Sequence, residues 1–233
     1  MSREERESPG AGMLPVRLST AQVRRIYDRL APTYDFWTTV FEARARERAL
    51  ELIASGAGGR ILEVAIGTGA AFARIQRLNA EGLTVGLDLS PRMLAKAAAR
   101  SRRSAHGARL LLLADARHLP FASDSFDIVT NSYMLDLLPV EDIRSALSEY
   151  ARVLRPGGSI VLVNMTKSRT WLSRAWEWLY QRNPSLLAGC RGVLAAPFLE
   201  EMGLRDVRRE EIRQLSFPSE VLVATKPELP PSA

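Results

Sequence analysis

With 233 residues, the chain has room for one good-sized α/β domain and is thin for two. Its 46% hydrophobic and 25% charged residues match a soluble globular protein, and no apolar run is long enough to span a bilayer. A net charge of +6 admits nucleic acid or an anionic membrane as partner, yet the cations are mostly arginines, mixed with glutamates at 42–51 and 205–211 and clustered at 100–103. That is the pattern of solvated helix faces. The N-terminus has mixed charge and no apolar stretch behind it, so it is not a secretory signal. Cys190 is the single cysteine, which excludes an internal disulfide and makes a reducing cytoplasm the natural setting.

In chain order, residues 1–15 hold Ser, Pro, Gly and charge and read as a flexible tail. Ser19 or Thr20 caps a helix running to Leu30, with Val23, Ile26, Tyr27 and Leu30 along one side. Pro32 interrupts it, Tyr34-Asp35-Phe36-Trp37 follows, and a second helix is expected over 40–54. These two helices, within 16–55, form an N-terminal lid. Ile61, Leu62 and Val64 make a short buried strand, and Ala70 opens a helix with Phe72, Ile75 and Leu78 toward one face. Another apolar run, 83–87, ends at Asp88. Ser90-Pro91 then starts a helix with a capping hydroxyl and proline at its first position.

Strands are expected at 110–114, ending at Asp115, and at 126–130, ending at Asn131. Glu141 and Asp142 suit a helix N-terminus, and Ile143, Leu147, Tyr150 and Leu154 give that helix its apolar stripe. Arg155-Pro156-Gly157-Gly158 stops it ahead of a strand at 159–163. Residues 166–196 break the rhythm with a tryptophan-rich helix. A helix at 194–202 and a strand pair at 204–213 and 220–225 follow, and the tail 227–233 is loose. Strands alternating with helices call for a Rossmann-like, mostly parallel sheet covered on both faces. One domain over 16–226 is expected.

The strand-turn-helix at 60–78 makes a nucleotide-type crevice. Gly67 and Gly69 permit a tight turn and close approach of a ligand, and the helix start offers unpaired N–H groups. A Gly-x-Gly alone is a weak signal. Three residues sharpen it. Glu63 is an acid where a buried strand would not want one. Phe72 fills the position of a dinucleotide fingerprint's third glycine, which argues against a pyrophosphate. Asp88 lies 25 residues after Glu63, where a ribose-binding acid falls.

The ordered set Leu62-Glu63-Val64-Ala65-Ile66-Gly67-Thr68-Gly69, Gly86-Leu87-Asp88-Leu89-Ser90, Asp115-Ala116 with Leu119-Pro120-Phe121, Phe126-Asp127-Ile128-Val129 and Arg152 to Gly158 resembles the class I S-adenosylmethionine-dependent methyltransferases. The resemblance covers residues 20–226, nearly the whole chain. Tyr27-Asp28 and Tyr34-Asp35 are similar to the branch of ubiquinone/menaquinone C-methyltransferases and phosphatidylethanolamine N-methyltransferases.

The resemblance implies a seven-stranded mostly parallel sheet with an antiparallel C-terminal strand, and S-adenosyl-L-methionine as cofactor. Glu63 and the Gly67/Gly69 loop would hold its methionine part, with Asp88 on the ribose and Leu89 on the adenine. Asp115 and the Ala116 backbone would meet the adenine amino group. Asn131 and Tyr133 would face cofactor and substrate, and Tyr27 and Tyr34 would close over the cofactor. Ala65 departs from the family's first glycine. If that turn needs a positive φ, alanine weakens binding. On the substrate side the expected residues are Tyr133, Trp171, Trp176 and Arg191.

Plainer roles stay open. Asp115 could cap a turn, Asp127 could serve the sheet, and the tryptophans could be core or a membrane contact. His106 and His118 read as surface residues, and no metal-ligand spacing links them. With no residue that stands out as a general base, catalysis by positioning is expected. The acceptor expected is a small apolar or amphipathic molecule: a quinone precursor, a lipid headgroup or another small molecule. Arg169, Arg174 and Arg182 could touch anionic headgroups, giving a peripheral membrane contact. The rivals are a nucleic-acid methyltransferase, against which the run Asn131-Ser132-Tyr133-Met134 speaks, and a non-catalytic cofactor-binding protein.

Overall fold

A computed structural model describes residues 13–16, 19–30, 34–103, 107–166, 182, 191–214 and 217–228. The tryptophan-rich stretch with Trp171 and Trp176, together with His106, Arg169, Arg174 and Cys190, lies outside the described residues, as do most of both expected tails. So do the side chains of Tyr27 and Tyr34.

Helix α1 is Thr20–Leu30. Ser19 and Gln22 close its start as a capping box, the Ser19 amide donating to Gln22 Oε1 at 2.8 Å and the Gln22 amide to Ser19 Oγ at 3.3 Å. Helix α2, Tyr34–Ala54, begins earlier than the expected residue 40. It lies over the sheet through Ala45, Ala49, Leu50 and Ile53. Then follow β1 (Arg60–Val64), α3 (Ala70–Leu78), β2 (Leu83–Asp88), α4 (Pro91–Arg103), β3 (Ala108–Leu113), β4 (Phe126–Ser132), α5 (Val140–Val153), β5 (Leu154–Met165), α6 (Ala196–Glu201), β6 (Arg205–Gln214) and β7 (Phe217–Thr225).

The seven strands run in the order β3-β2-β1-β4-β5-β7-β6. The first five are parallel. β7 inserts antiparallel beside β5 and pairs antiparallel with β6. The chain reverses its direction of travel across the sheet between β1 and β4, and a ligand crevice opens there, beyond the carboxyl ends of the strands.

Side-chain alternation sorts the core into two layers. Leu62, Val64, Val129 and Leu162 join α5 and α6 on one face. Ile61, Ile128, Val161 and Val163 join α2 and Ile75 of α3 on the other. The apolar pattern stays open to solvent at the margins. Leu78, placed on the buried face of α3, is 44% exposed because it ends the helix beyond the sheet. β3 is an edge strand, so its apolar run leaves Leu110 and Leu113 at the surface.

Asp127 serves the sheet. Its Oδ2 accepts the Arg60 amide at 2.6 Å and its Oδ1 pairs with Arg155. Among the described residues no helix is long and apolar enough to cross a membrane.

Candidate active site

After β1 the backbone leaves the sheet through three left-handed residues, Ala65, Gly67 and Gly69, with φ of 57°, 55° and 76°. The turn therefore does require a positive φ at Ala65, a conformation that costs an L-residue about 1–2 kcal/mol. At Gly69 a Cβ would stand 2.7 Å from the Ala97 backbone, so glycine lets α3 start against α4. The Ile66 amide donates to the Leu87 carbonyl at 3.0 Å, and Arg100 Nη1 reaches Thr68 O and Oγ1 at 3.1 Å. The loop is thus tied to β2 and to α4. No side chain caps the start of α3.

Asp88 ends β2 beside this loop. Its Oδ2 accepts the Gly67 amide and its Oδ1 the Ser90 amide, both at 2.8 Å. Burial raises its pKa, against the pull of the Ser90, Gly67 and Leu89 amides. Ser90 caps α4 by accepting the Met93 amide at 3.2 Å, and its hydroxyl donates to Asp28 of α1 at 2.7 Å. Hence α1 is fastened directly to the Asp88 turn.

Glu63 is 3% exposed, and its Oε2 has no hydrogen-bond partner. Burial pushes its pKa up to about 8, with Arg46 pulling it down and Asp88 pushing it further up. Asn131 is fully buried; its Nδ2 donates to the Val64 carbonyl at 2.8 Å and its Oδ1 is unpaired.

Tyr133 follows β4 with φ of 55°, a strained conformation for an aromatic residue. Its hydroxyl lies 2.7 Å from Ser219 Oγ, and the guanidinium carbon of Arg46 sits 5.6 Å from its ring centroid.

One cavity joins these elements. From the β2 and β3 side it is walled by Asp88, Leu89, Ser90, Met93, Ala114, Asp115, Ala116 and Arg117. Val64, Ala65 and Gly67 form its middle. From the β4 side come Ser132, Tyr133, Met134, Leu137 and Leu138, and α1 adds Val23. Seven sequence-predicted residues therefore meet here: Ala65, Gly67, Asp88, Leu89, Asp115, Ala116 and Tyr133.

Glu63, Gly69 and Asn131 support the cavity without walling it. Arg191, expected on the substrate side, is 2% exposed and donates from Nη2 to the Leu138 carbonyl. Asp115 also has its plain role, accepting the Arg117 amide at 2.9 Å within its own turn. The Arg117 guanidinium binds Asp115, holding its pKa below the usual range, and reaches Asp142 at 2.8 Å.

Sequence reading missed Arg117, Ser90, Met93, Met134, Leu137, Leu138 and the cavity role of Val23. Val23 was visible only as one member of an apolar stripe. Leu137 and Leu138 carry no motif. His118 is exposed. Among the described residues no group of three His, Cys, Asp or Glu side chains could hold a metal ion.

Comparison with known proteins agrees with this geometry. Residues 61–158 match the model of a methyltransferase domain. The ubiquinone/menaquinone biosynthesis C-methyltransferase of Geobacter sulfurreducens is 30% identical over 202 residues, covering 83% of this chain and 78% of the relative. The demethylmenaquinone methyltransferase of a Roseiflexus species is 32% identical over 178 residues, covering 73% and 72%. Among solved structures, the [4+2]-cyclase SpnF superposes with a TM-score of 0.71 at 22% identity, covering 93% of this chain and 99% of that one, which speaks for the fold alone. With that fold, that crevice and those relatives, the chain belongs to the class I S-adenosylmethionine-dependent methyltransferases, in the branch that includes the ubiquinone/menaquinone C-methyltransferases.

Proposed function

We propose that this methyltransferase places its methyl group on a small, apolar, hydroxylated aromatic acceptor of the quinone-precursor kind, at a ring carbon. The observation that carries the proposal is relatedness over most of the chain to two proteins named as quinone-pathway methyltransferases. The apolar residues Val23, Met134, Leu137 and Leu138 on the cavity wall suit such an acceptor.

The residues present fit S-adenosylmethionine. Glu63 at the end of β1 has an unpaired, buried acceptor atom that a ligand ammonium could satisfy. Asp88 would accept hydrogen bonds from ribose hydroxyls, and Leu89 would pack on the adenine. Asp115 and the Ala116 backbone would meet its amino group. The cofactor supplies a methyl group already activated on a sulfonium.

The chain's task is then to hold and align. The Gly67/Gly69 loop fixes the methionine end, and Tyr133 with its Ser219 partner walls the place where donor and acceptor meet. Tyr27 and Tyr34 of the lid, and Trp171 and Trp176 beyond β5, would complete the enclosure and exclude water. Arg191 would steady the acceptor-side wall through Leu138. The carbon nucleophile comes from the acceptor's own hydroxyl-activated ring, so alignment carries most of the rate enhancement.

The test is calorimetric titration with S-adenosylmethionine and S-adenosylhomocysteine on wild type and Asp88→Ala, followed by a screen of reduced dihydroxynaphthalenes, amines, thiols and lipids. The expected result is binding that Asp88→Ala abolishes and turnover on the hydroxylated aromatics. Turnover confined to amines or lipid headgroups would replace this acceptor assignment.

A further inference from the structure

A second cavity, of about 470 Å³, opens between α2 and the sheet, toward the end where β4 and β5 begin. The crevice lies at the other end of these strands. The floor of this groove is apolar: Leu52 of α2, Ile128 of β4, Val161 of β5, and Val221 and Val223 of β7. Leu52 and Val223 are only half-buried, so the floor is open to solvent there. Charged side chains from α2, β4, β5 and β6 form the rim.

Two of the three rim arginines are matched. Arg48 donates to both carboxylate oxygens of Glu210, at 2.7 and 2.8 Å, and also meets Glu51. Arg155 pairs with Asp127 at 2.6 Å. The third, Arg208, is exposed, and its side chain has no hydrogen bond or ion pair among the described residues. A β-bulge sets its direction. On β6, Arg205 and Arg208 stand opposite Thr225 and Val223 of β7, so β6 holds one extra residue here, beside Asp206 with its left-handed φ of 53°. In unbroken register Val207 would face Val223. With the bulge, Val207 packs against the core layer of α5 and α6, and Arg208 stands over the groove floor.

We propose that this groove binds an amphipathic monocarboxylate, with its unbranched apolar chain on the floor and its carboxylate on Arg208. Charge decides the class. The ion pairs leave one guanidinium over, and one carboxylate matches its planar fork at two points. A phosphate dianion would call for a second cation. Several apolar side chains beneath a single charged group, in a volume of this size, are the mix that small-molecule sites show. A ligand held here sits away from the cofactor crevice, so the site serves binding and not methyl transfer. The assignment is independent of the acceptor proposed above.

The test titrates octanoate, and octanol as its uncharged match, into wild type, Arg208→Gln and Ser159→Phe by calorimetry, with and without S-adenosylhomocysteine. Ser159 is half-buried on the groove wall, and phenylalanine there fills the space. Wild type is expected to bind octanoate about tenfold more tightly than octanol. Arg208→Gln, at an exposed position, should weaken octanoate about tenfold, the loss of one charge-assisted contact, and octanol less than about twofold. Ser159→Phe should weaken both by more than about tenfold; should it misfold, Arg208→Gln carries the contrast alone. S-adenosylhomocysteine should leave octanoate binding unchanged. A wild type that does not bind octanoate overturns the proposal, and so do equal losses of octanoate and octanol in Arg208→Gln. Displacement of octanoate by S-adenosylhomocysteine would put it in the crevice and overturns it as well. A wild-type dimer in sedimentation that Ser159→Phe dissociates would make the groove an interface between copies, which also overturns it.

Discussion

Glu63 is the residue whose environment is most at odds with its chemistry. Folding moves a carboxyl of ordinary pKa 4.5 to about 8, mainly through burial. The sign follows from proton counting. Between those two values the folded state keeps the proton and the unfolded state has lost it, so stability falls as pH rises from about 4.5 to about 8. Glu63→Gln removes that dependence, and its stability relative to wild type should climb between pH 5 and pH 8 in denaturant titrations. An ammonium beside Glu63 reverses the preference and favours the ionised form. S-adenosylhomocysteine binding near pH 7 should therefore release a proton, seen as a binding enthalpy that varies with the buffer's ionisation heat. Glu63→Gln should show no such variation. Equal buffer dependence in both proteins would rule out Glu63 as the ammonium's partner. Glu63 was legible in the sequence because a lone acid in an apolar strand has no packing reason to be there. Its neighbour Ala65 was legible as a question, which the φ of 57° answers: the turn has the strained geometry, and alanine tolerates it at a modest cost.

Among the elements, α1 shows how a short helix can be attached to a site without belonging to the sheet. Its link to the crevice is the Asp28 carboxylate accepting the Ser90 hydroxyl at 2.7 Å, with Val23 on the cavity wall. Ser90 is at once the cap of α4 and the residue whose amide fixes Asp88. Removing Asp28 should loosen α1 and leave the Asp88 turn standing on its backbone bonds. Asp28→Ala is thus expected to weaken S-adenosylhomocysteine about three- to tenfold while shifting the melting temperature by no more than about two degrees. A loss as complete as that of Asp88→Ala would mean that Asp28 does more than hold the helix. The capping residue before α1, the proline at the start of α4 and the apolar runs of the central strands are local signals, and they made these elements readable from the sequence. The Asp28–Ser90, Arg100–Thr68 and Arg46–Tyr133 contacts join residues 62, 32 and 87 positions apart, so no local pattern in the sequence pairs them.

At the scale of the whole molecule, the strand order places the site. Its crevice lies where the chain reverses across the sheet, and a ligand seated there touches the ends of β1, β2 and β4, the turn after β3, and α1. Alternation of strands and helices made the parallel sheet foreseeable. The antiparallel C-terminal strand followed only from family resemblance, and the seat of β7 between β5 and β6 was not read in the sequence, because residues 217–225 carry no sign of which neighbours they join. A ligand that bridges so many elements should stabilise the domain as a unit. Mass action gives about 2.7 kcal/mol at a ligand concentration one hundred times Kd. For a chain of this size each kcal/mol raises the melting temperature by about 2–4 °C, so S-adenosylhomocysteine at that excess should raise it by about 5–10 °C in a single cooperative transition. Asp88→Ala at the same ligand concentration should show almost no rise. If instead only part of the unfolding signal moved in the wild type, the ligand would be stabilising the lid or the glycine loop locally. The crevice would then be coupled less tightly to the sheet than the shared strand ends imply.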